Sequence, residues 1–200
     1  PAELYTESDL VLRTVRDVLR PEIKAIIVDN ENAYNRVKAF LSVIAPRSSP
    51  PVVHYKRGLP LFHAFNIEQQ IETIHSREVS LPSGGQLVIE QTEALVAIDV
   101  NSGRSTRQHS IEETATQTNL EAADEVARQL RLRDLAGLIV IDFIDMEDKR
   151  NIRNVEKRLK DALKNDRARI QVGRISHFGL MEMSRQRIRA SVLESTTQAC

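Results

Sequence analysis

The chain of 200 residues contains no tryptophan, only three tyrosines and five phenylalanines. So few aromatics give a base-stacking sheet of the RRM or OB type little to work with. There is one cysteine, at position 200. This excludes an internal disulfide and fits a reducing cytoplasm. No apolar run approaches the roughly 18–20 residues that a membrane span needs. Neither a signal peptide nor a transit peptide opens the sequence, and PAELYTESDL reads as the interior of a longer protein. The terminal Cys200 in turn suggests a cut through a motif. No internal repeat is evident.

Net charge is also lacking, since 28 Lys and Arg balance 28 Asp and Glu. That balance conceals an asymmetry. Residues 149–189 hold thirteen Lys or Arg against four acids, a local surplus of nine that the rest of the chain offsets. Such a segment suits a polyanion, of which nucleic acid is the commonest, or forms an ordinary solvated helix face. The 41% hydrophobic content allows a sizeable core in one moderate domain or two small ones.

Periodicity predicts a helix over Asp9–Leu19 with Ser8 as its cap, a strand over Glu22–Asn30, a helix over Glu31–Leu41, and a loop at Ala45–Pro51. A strand at Val52–Tyr55, a loop at Leu59–Phe65 and a helix over Ile67–His75 complete a small α/β unit. A hairpin through the Gly-Gly turn of Val79–Gln91 follows, then a strand over Ala94–Val100. Ser110-Ile-Glu-Glu113 reads as a capping box that opens a long helix to about Arg133, with Ile111, Ala115, Leu120, Ala123, Val126, Ala127 and Leu130 facing inward. Ala136–Asp142 is the next strand, parallel or antiparallel to its predecessor. A basic amphipathic helix spans Ile152–Leu163, short strands cover Arg169–Ile175 and Leu180–Met183, and Ser191–Cys200 resembles a linker.

The chemistry gathers on two of these strands. ALVAIDVNSGR (94–104) and LIVIDFIDM (138–146) are apolar runs ending in a carboxylate, the pattern of buried strands with an acid at the tip. Asp99 and Asn101 leave the same face of the first, and Asp142 ends the second. Two such acids with a neighbouring amide suit a hard divalent cation, which takes oxygen ligands, keeps waters and shares substrate phosphate. Spacing alone leaves a second reading open, in which both acids cap the loops that follow them. Asp145 reads as the N-cap of the helix beginning near Glu147, or else as an acid orienting a metal-bound water. Arg104 and Arg107 stand where a phosphodiester would approach, and Arg169 belongs to the basic segment. His109 and His177 could exchange protons, although lone histidines are more often not catalytic. Arg128, Arg131 and Arg133 complement a helix dipole.

LPSGG (81–85), TEALVAIDVNSGR (92–104), TNLEAADEVARQLRLRDLAGLIVIDFIDM (118–146), DRARIQ (166–171) and FGLMEMSRQR (178–187) together resemble the ribonuclease E/G family. LRPEIKAIIVDN and GLPLF extend the likeness upstream, so that it covers essentially the whole chain. EETATQTNLEAADE and RISHFGL stand nearer the E branch than the G branch. The resemblance implies an α/β (α+β) fold. Residues 1–77 would be the later part of a ribonuclease H-like subdomain, 78–196 a deoxyribonuclease I-like catalytic subdomain with a mixed sheet and flanking helices, and 197–200 the start of a zinc-link.

The resemblance also implies a catalytic trio of Asp99, Asn101 and Asp142, with the two acids binding Mg²⁺, and it lowers the weight on Asp145. Cys200 would be the first Cys of a CPxC motif through which two protomers share one Zn²⁺. The activity implied is Mg²⁺-dependent endonucleolytic cleavage of single-stranded, AU-rich RNA to 5′-phosphate and 3′-hydroxyl ends, in RNA processing and mRNA decay. The expected setting is the cytoplasm or, for the parent enzyme, the inner-membrane surface. That parent would be a homo-oligomer whose degradosome partners bind a tail absent from these residues. The family's S1 domain, its 5′-monophosphate pocket and its small dimerisation domain do not match these residues either. The rivals are a ribonuclease G-like enzyme and a non-catalytic RNA-binding or scaffold fragment using the basic segment alone.

Overall fold

The computed structural model describes residues 9–103 and 111–187. The chain forms two compact units that divide between Gln69 and Gln70.

The first unit is small. Helix α1 (Leu10–Val18) is capped by Asp9, whose side chain accepts from the Val11 amide, while Ser8 lies outside the described residues. Strand β1 (Ile26–Val28), helix α2 (Glu31–Ile44), strand β2 (Val52–His54) and the single turn α3 (Leu61–Ala64) follow. Helix α4 (Ile67–Thr73) crosses into the second unit. The expected nine-residue strand shrinks to three because its parallel partner β2 begins only after Pro50-Pro51, and prolines cannot donate to a ladder. The expected loop at Leu59–Phe65 contains α3. Among the described residues of this unit, only Val37 and Leu41, both of α2, are buried.

The end of α4 is fastened within the second unit. Arg128 Nη1 donates to Gln70 Oε1 at 3.3 Å and Arg133 Nη2 to the Thr73 carbonyl at 3.3 Å. Its remaining elements are β3 (Glu78–Ser80), β4 (Gln86–Gln91), β5 (Val96–Asn101), α5 (Ile111–Leu132), β6 (Gly137–Asp142), α6 (Lys149–Leu163), β7 (Ile170–Ile175) and β8 (Leu180–Arg185). The six strands form a sheet in the order β3-β4-β5-β6-β8-β7. Every pairing is antiparallel except β5 with β6, which the α5 crossover makes parallel. The fold is therefore mixed α/β, with a mixed sheet and flanking helices, as expected.

Both helices pack on one face. Leu87, Ile89, Val96, Ile98, Val100, Ile139, Ile141, Met181 and Met183 meet Ala122, Ala123, Val126, Leu130, Val155 and Leu159 in one core. The acid-tipped strands are thus buried on one face rather than both. Their alternate residues, including Ala97, Asp99, Leu138 and Asp142, lie on the second face, where Leu138 remains 46% exposed. The buried stripe of α5 also differs from its apolar periodicity. Ile111 is 88% exposed, while Thr118 and Asn119 are buried, for a reason given below. Among the described residues, no helix is long and apolar enough to cross a membrane.

Candidate active site

β5 and β6 run in parallel with Asp99 directly opposite Asp142. Hydrogen-bonded strands lie about 4.8 Å apart, so the two carboxylates stand side by side at the same ends of adjacent strands. Val88 of β4 flanks Asp99 and Leu180 of β8 flanks Asp142, and all four border a depression of about 300 Å³ on the helix-free face. Asn101 is two residues beyond Asp99 on the same face, and its Nδ2 donates to Asp99 Oδ2 at 2.8 Å. The structure therefore brings the expected trio together.

The electrostatics of this pair suit a cation. Partial desolvation, then the negative charges of Asp99 and Asp145, push the Asp142 carboxyl above the usual carboxylate range. A divalent ion would relieve that repulsion. Among the described residues no group of three or more His, Cys, Asp or Glu is arranged to hold a metal ion. What is present, two carboxylates and an amide open to solvent, fits the needs of Mg²⁺, which is commonly bound through one or two carboxylates with waters and phosphate completing its shell.

The N-cap expected at Asp145 is corrected by the structure. Helix α6 starts at Lys149, and its cap is Asp148, whose Oδ1 accepts from the Arg150 amide at 2.8 Å. Asp145 instead sits in the β6–α6 loop near Asp142, beside the turn between β7 and β8. Gly179 in that turn has φ +80, and a Cβ there would stand 3.1 Å from Asp145 Oδ1 and 3.1 Å from the Phe143 carbonyl. Only glycine meets both conditions at low cost.

Two residues that the sequence analysis did not single out hold this loop. Asn119 of α5 is fully buried; its Nδ2 donates to the Ile144 carbonyl at 2.8 Å, and its Oδ1 accepts from the Ile144 amide at 3.0 Å. Glu112 accepts from the Glu147 amide at 2.9 Å, the Asp148 amide at 3.2 Å and Asn151 Nδ2 at 2.7 Å. Those bonds, the Glu147 amide foremost, hold its carboxyl below the usual range. Helix α5 therefore buries Asn119, and keeps Glu112 part-buried, because both complete the loop that follows Asp142, while the Thr118 methyl packs beside Gly85. A polar residue on an otherwise apolar helix face was the available signal. Asn119→Leu keeps much of the volume but orphans both Ile144 groups, so it should cost about 1–3 kcal/mol for each. Urea denaturation would measure this, and a variant as stable as the parent would contradict the clamp.

The remaining expected residues lie elsewhere. Arg169 precedes β7, whose first residue Ile170 pairs with Arg185, and Arg185 in turn pairs with Gly137 at the start of β6. It is therefore two strands across and six residues along from Asp142, roughly 20 Å in the strand direction at about 3.3 Å per residue. Arg104, Arg107, His109 and Cys200 lie outside the described residues. His177 is exposed in the β7–β8 turn. Arg128 pairs with Glu125, Arg131 donates to the Ala162 carbonyl, and Arg133 is buried against Gln129. These partners, more than a helix dipole, account for the three arginines.

Paired carboxylates at adjacent strand ends on an open sheet face define a site suited to metal-assisted chemistry on an anionic substrate. The family follows from comparison with known proteins. Residues 1–188 match the model of the ribonuclease E/G family, and the chain belongs to that family. It is 54% identical over 200 residues to ribonuclease E of Haemophilus influenzae and 52% identical over 201 residues to ribonuclease E of Escherichia coli, in each case over 100% of this chain. Against ribonuclease G of Escherichia coli it is 38% identical over 198 residues, covering 99% of this chain and 40% of that protein. The chain spans only 21% and 19% of the two ribonuclease E relatives.

Proposed function

We propose that these residues form the catalytic core of an Mg²⁺-dependent endoribonuclease of the ribonuclease E type. The observation that carries the proposal is the register of Asp99 against Asp142 on an open sheet face, with Asn101 bonded to the first acid. Asp99 and Asp142 would hold the ion. When bound, Mg²⁺ supplies Lewis acidity toward the scissile phosphate and lowers the pKa of water. Asn101 fixes the orientation of Asp99 and can donate to a phosphoryl oxygen. Water attacks phosphorus and the bond to the 3′-oxygen breaks, leaving a 5′-phosphate and a protonated 3′-hydroxyl.

The proposed substrate is single-stranded, AU-rich RNA, in RNA processing and mRNA decay. Residues 1–77 would belong to a ribonuclease H-like subdomain and 78–196 to a deoxyribonuclease I-like one. Arg104, Arg107 and Arg169 would contact RNA backbone. In the full-length parent, Cys200 would ligate Zn²⁺ between protomers of a homo-oligomer in the cytoplasm, and degradosome proteins would bind a tail outside these residues. The names of the relatives support this reading, and 54% identity to a ribonuclease E favours it over the ribonuclease G alternative at 38%. A short 5′-phosphorylated RNA, incubated with the parent protein with and without Mg²⁺, tests it. Cleavage should require the ion, and RNA binding without cleavage under both conditions would favour a non-catalytic RNA-binding role.

A further inference from the structure

Apart from Lys157, whose charge acts on Asp161, the cations of α6 and its C-cap Lys164 fall into two sets. On one flank they are neutralised: Arg150 pairs with Asp148 at 3.0 Å, Arg158 with Asp124 at 2.6 Å and Lys164 with Asp161 at 2.7 Å. On the other, Lys149, Arg153 and Lys160 follow a helical stripe and, among the described residues, form no salt bridge. They line a groove of about 690 Å³ together with Arg174 and His177 of the β7 end, and Glu147 and Glu156 only partly offset them. Glu156 is moreover engaged, accepting from the Ile175 amide at 2.9 Å.

The groove leads to the acids through the β7–β8 turn. His177 lines it, while Gly179 two residues on lies against Asp145 and Asp142. Between them Phe178 is 71% exposed, its ring centroid 3.8 Å from that of His177. The turn that aims this ring is fixed. The Phe178 amide donates to Ser176 Oγ at 3.2 Å, the Gly179 amide to the Ser176 carbonyl at 3.1 Å, and the Ser176 amide to the Leu180 carbonyl at 2.8 Å. Phe178 is more exposed than Phe62 at 50% or Phe65 at 48%, and it stands between the cations of this groove and the paired carboxylates.

We infer that the α6–β7 groove with Phe178 is a second RNA subsite, in which Lys149, Arg153, Lys160 and Arg174 follow the phosphates flanking the scissile bond and Phe178 stacks on a base beside it. The inference rests on the proposed function for its choice of RNA as the polyanion. An exposed aromatic between a cationic track and a phosphodiester site is the arrangement by which single strands are held without reading sequence, because every base has a stacking face. An acidic protein segment would use the cations but leave the ring without a role.

The test reads equilibrium binding of a fluorescent single-stranded RNA by the full-length parent in EDTA, so that cleavage does not enter. Phe178→Ala should weaken binding roughly 5- to 100-fold, while Phe178→Tyr should stay near the parent value. The Arg153→Gln/Arg174→Gln pair should lower the slope of log affinity against log salt by about 1.4, at about 0.7 for each single-strand phosphate contact. Arg158→Gln removes one positive charge, where the pair removes two, from the neutralised flank against Asp124 and should act weakly on both affinity and slope. Unchanged affinity in the first and third variants overturns the subsite and leaves the groove to an acidic protein segment. Equal loss in Arg158→Gln overturns it in favour of overall charge. Should Mg²⁺-dependent cleavage fail while these binding effects hold, the proposed function falls and the subsite stands.

Discussion

Asp142→Asn in the full-length parent should lower RNA cleavage by about a thousandfold or more, a loss of roughly 4 kcal/mol of transition-state stabilisation, and Asp99→Asn should do the same. Neither change should weaken RNA binding appreciably. The substitution keeps the shape of the side chain and removes only the charge that holds the ion. Stability separates this outcome from the reading in which the two acids cap their loops, because a lost cap costs about 1 kcal/mol. Asp142 has the opposite sign. Its carboxyl titrates above the ordinary range, through partial desolvation and the nearby negative charges. Its contribution to stability is therefore greatest below the unfolded-state value and is lost as pH rises through the raised native value. At neutral pH and without metal, Asp142→Asn should leave the protein as stable as the parent or more so. Single-turnover cleavage beside thermal unfolding in EDTA makes the comparison. Undiminished turnover would remove Asp142 from the site, and loss of stability in step with activity would restore the cap.

The contrast between chemistry and support also shows where the sequence was legible. The order of strands and helices in the second unit follows from hydrophobic periodicity, since α5 and α6 each bury a helical stripe and the strands alternate against them. Asp99 and Asp142 were visible because a carboxylate after an apolar run is conspicuous. Their direct juxtaposition was not, because register belongs to two strands 43 positions apart joined by a long crossover. Asp145 shows the limit of local reasoning. Four acids, Asp142, Asp145, Glu147 and Asp148, fall within seven residues, and only the path of the backbone decides that Asp148 caps α6 while Asp145 turns toward Asp142. Asn119 and Glu112 escaped notice for a related reason. Their partners are backbone groups 25 to 36 positions away and the Asn151 side chain 39 away, which composition does not encode.

Arg185 is the strongest case of this kind. By sequence it is one of thirteen cations in the basic segment, yet its side chain is 4% exposed. Nε donates to Asp166 Oδ2 at 2.8 Å, Nη2 to Asp166 Oδ1 at 3.2 Å, and Nη1 to both Asp134 Oδ1 at 2.9 Å and the Leu135 carbonyl at 2.8 Å. One guanidinium thus ties the end of β8 to the α5–β6 connection and to the segment before β7. The Asp166 side chain is 2% exposed, so Arg185→Met would leave a buried carboxylate without its partner, at a cost of about 3–5 kcal/mol. Replacing both residues with apolar side chains of similar volume, as in Arg185→Met/Asp166→Leu, should recover most of that loss.

The pH dependence identifies the cause. Burial works to raise the Asp166 carboxyl, but the Arg185 hydrogen bonds, the Ala168 amide and the arginine charges together hold it below the ordinary value. In the parent this stabilisation is present above the unfolded-state value and is lost as pH falls through the depressed native one. In Arg185→Met only the Ala168 amide and the Arg131 charge still oppose that burial, so Asp166 should titrate higher than in the parent and the variant should lose less stability than the parent on acidification. Urea denaturation from pH 7 toward pH 4 should therefore show the gap between parent and variant narrowing. A gap that stays constant would assign the loss to packing of the arginine stem rather than to the stranded charge.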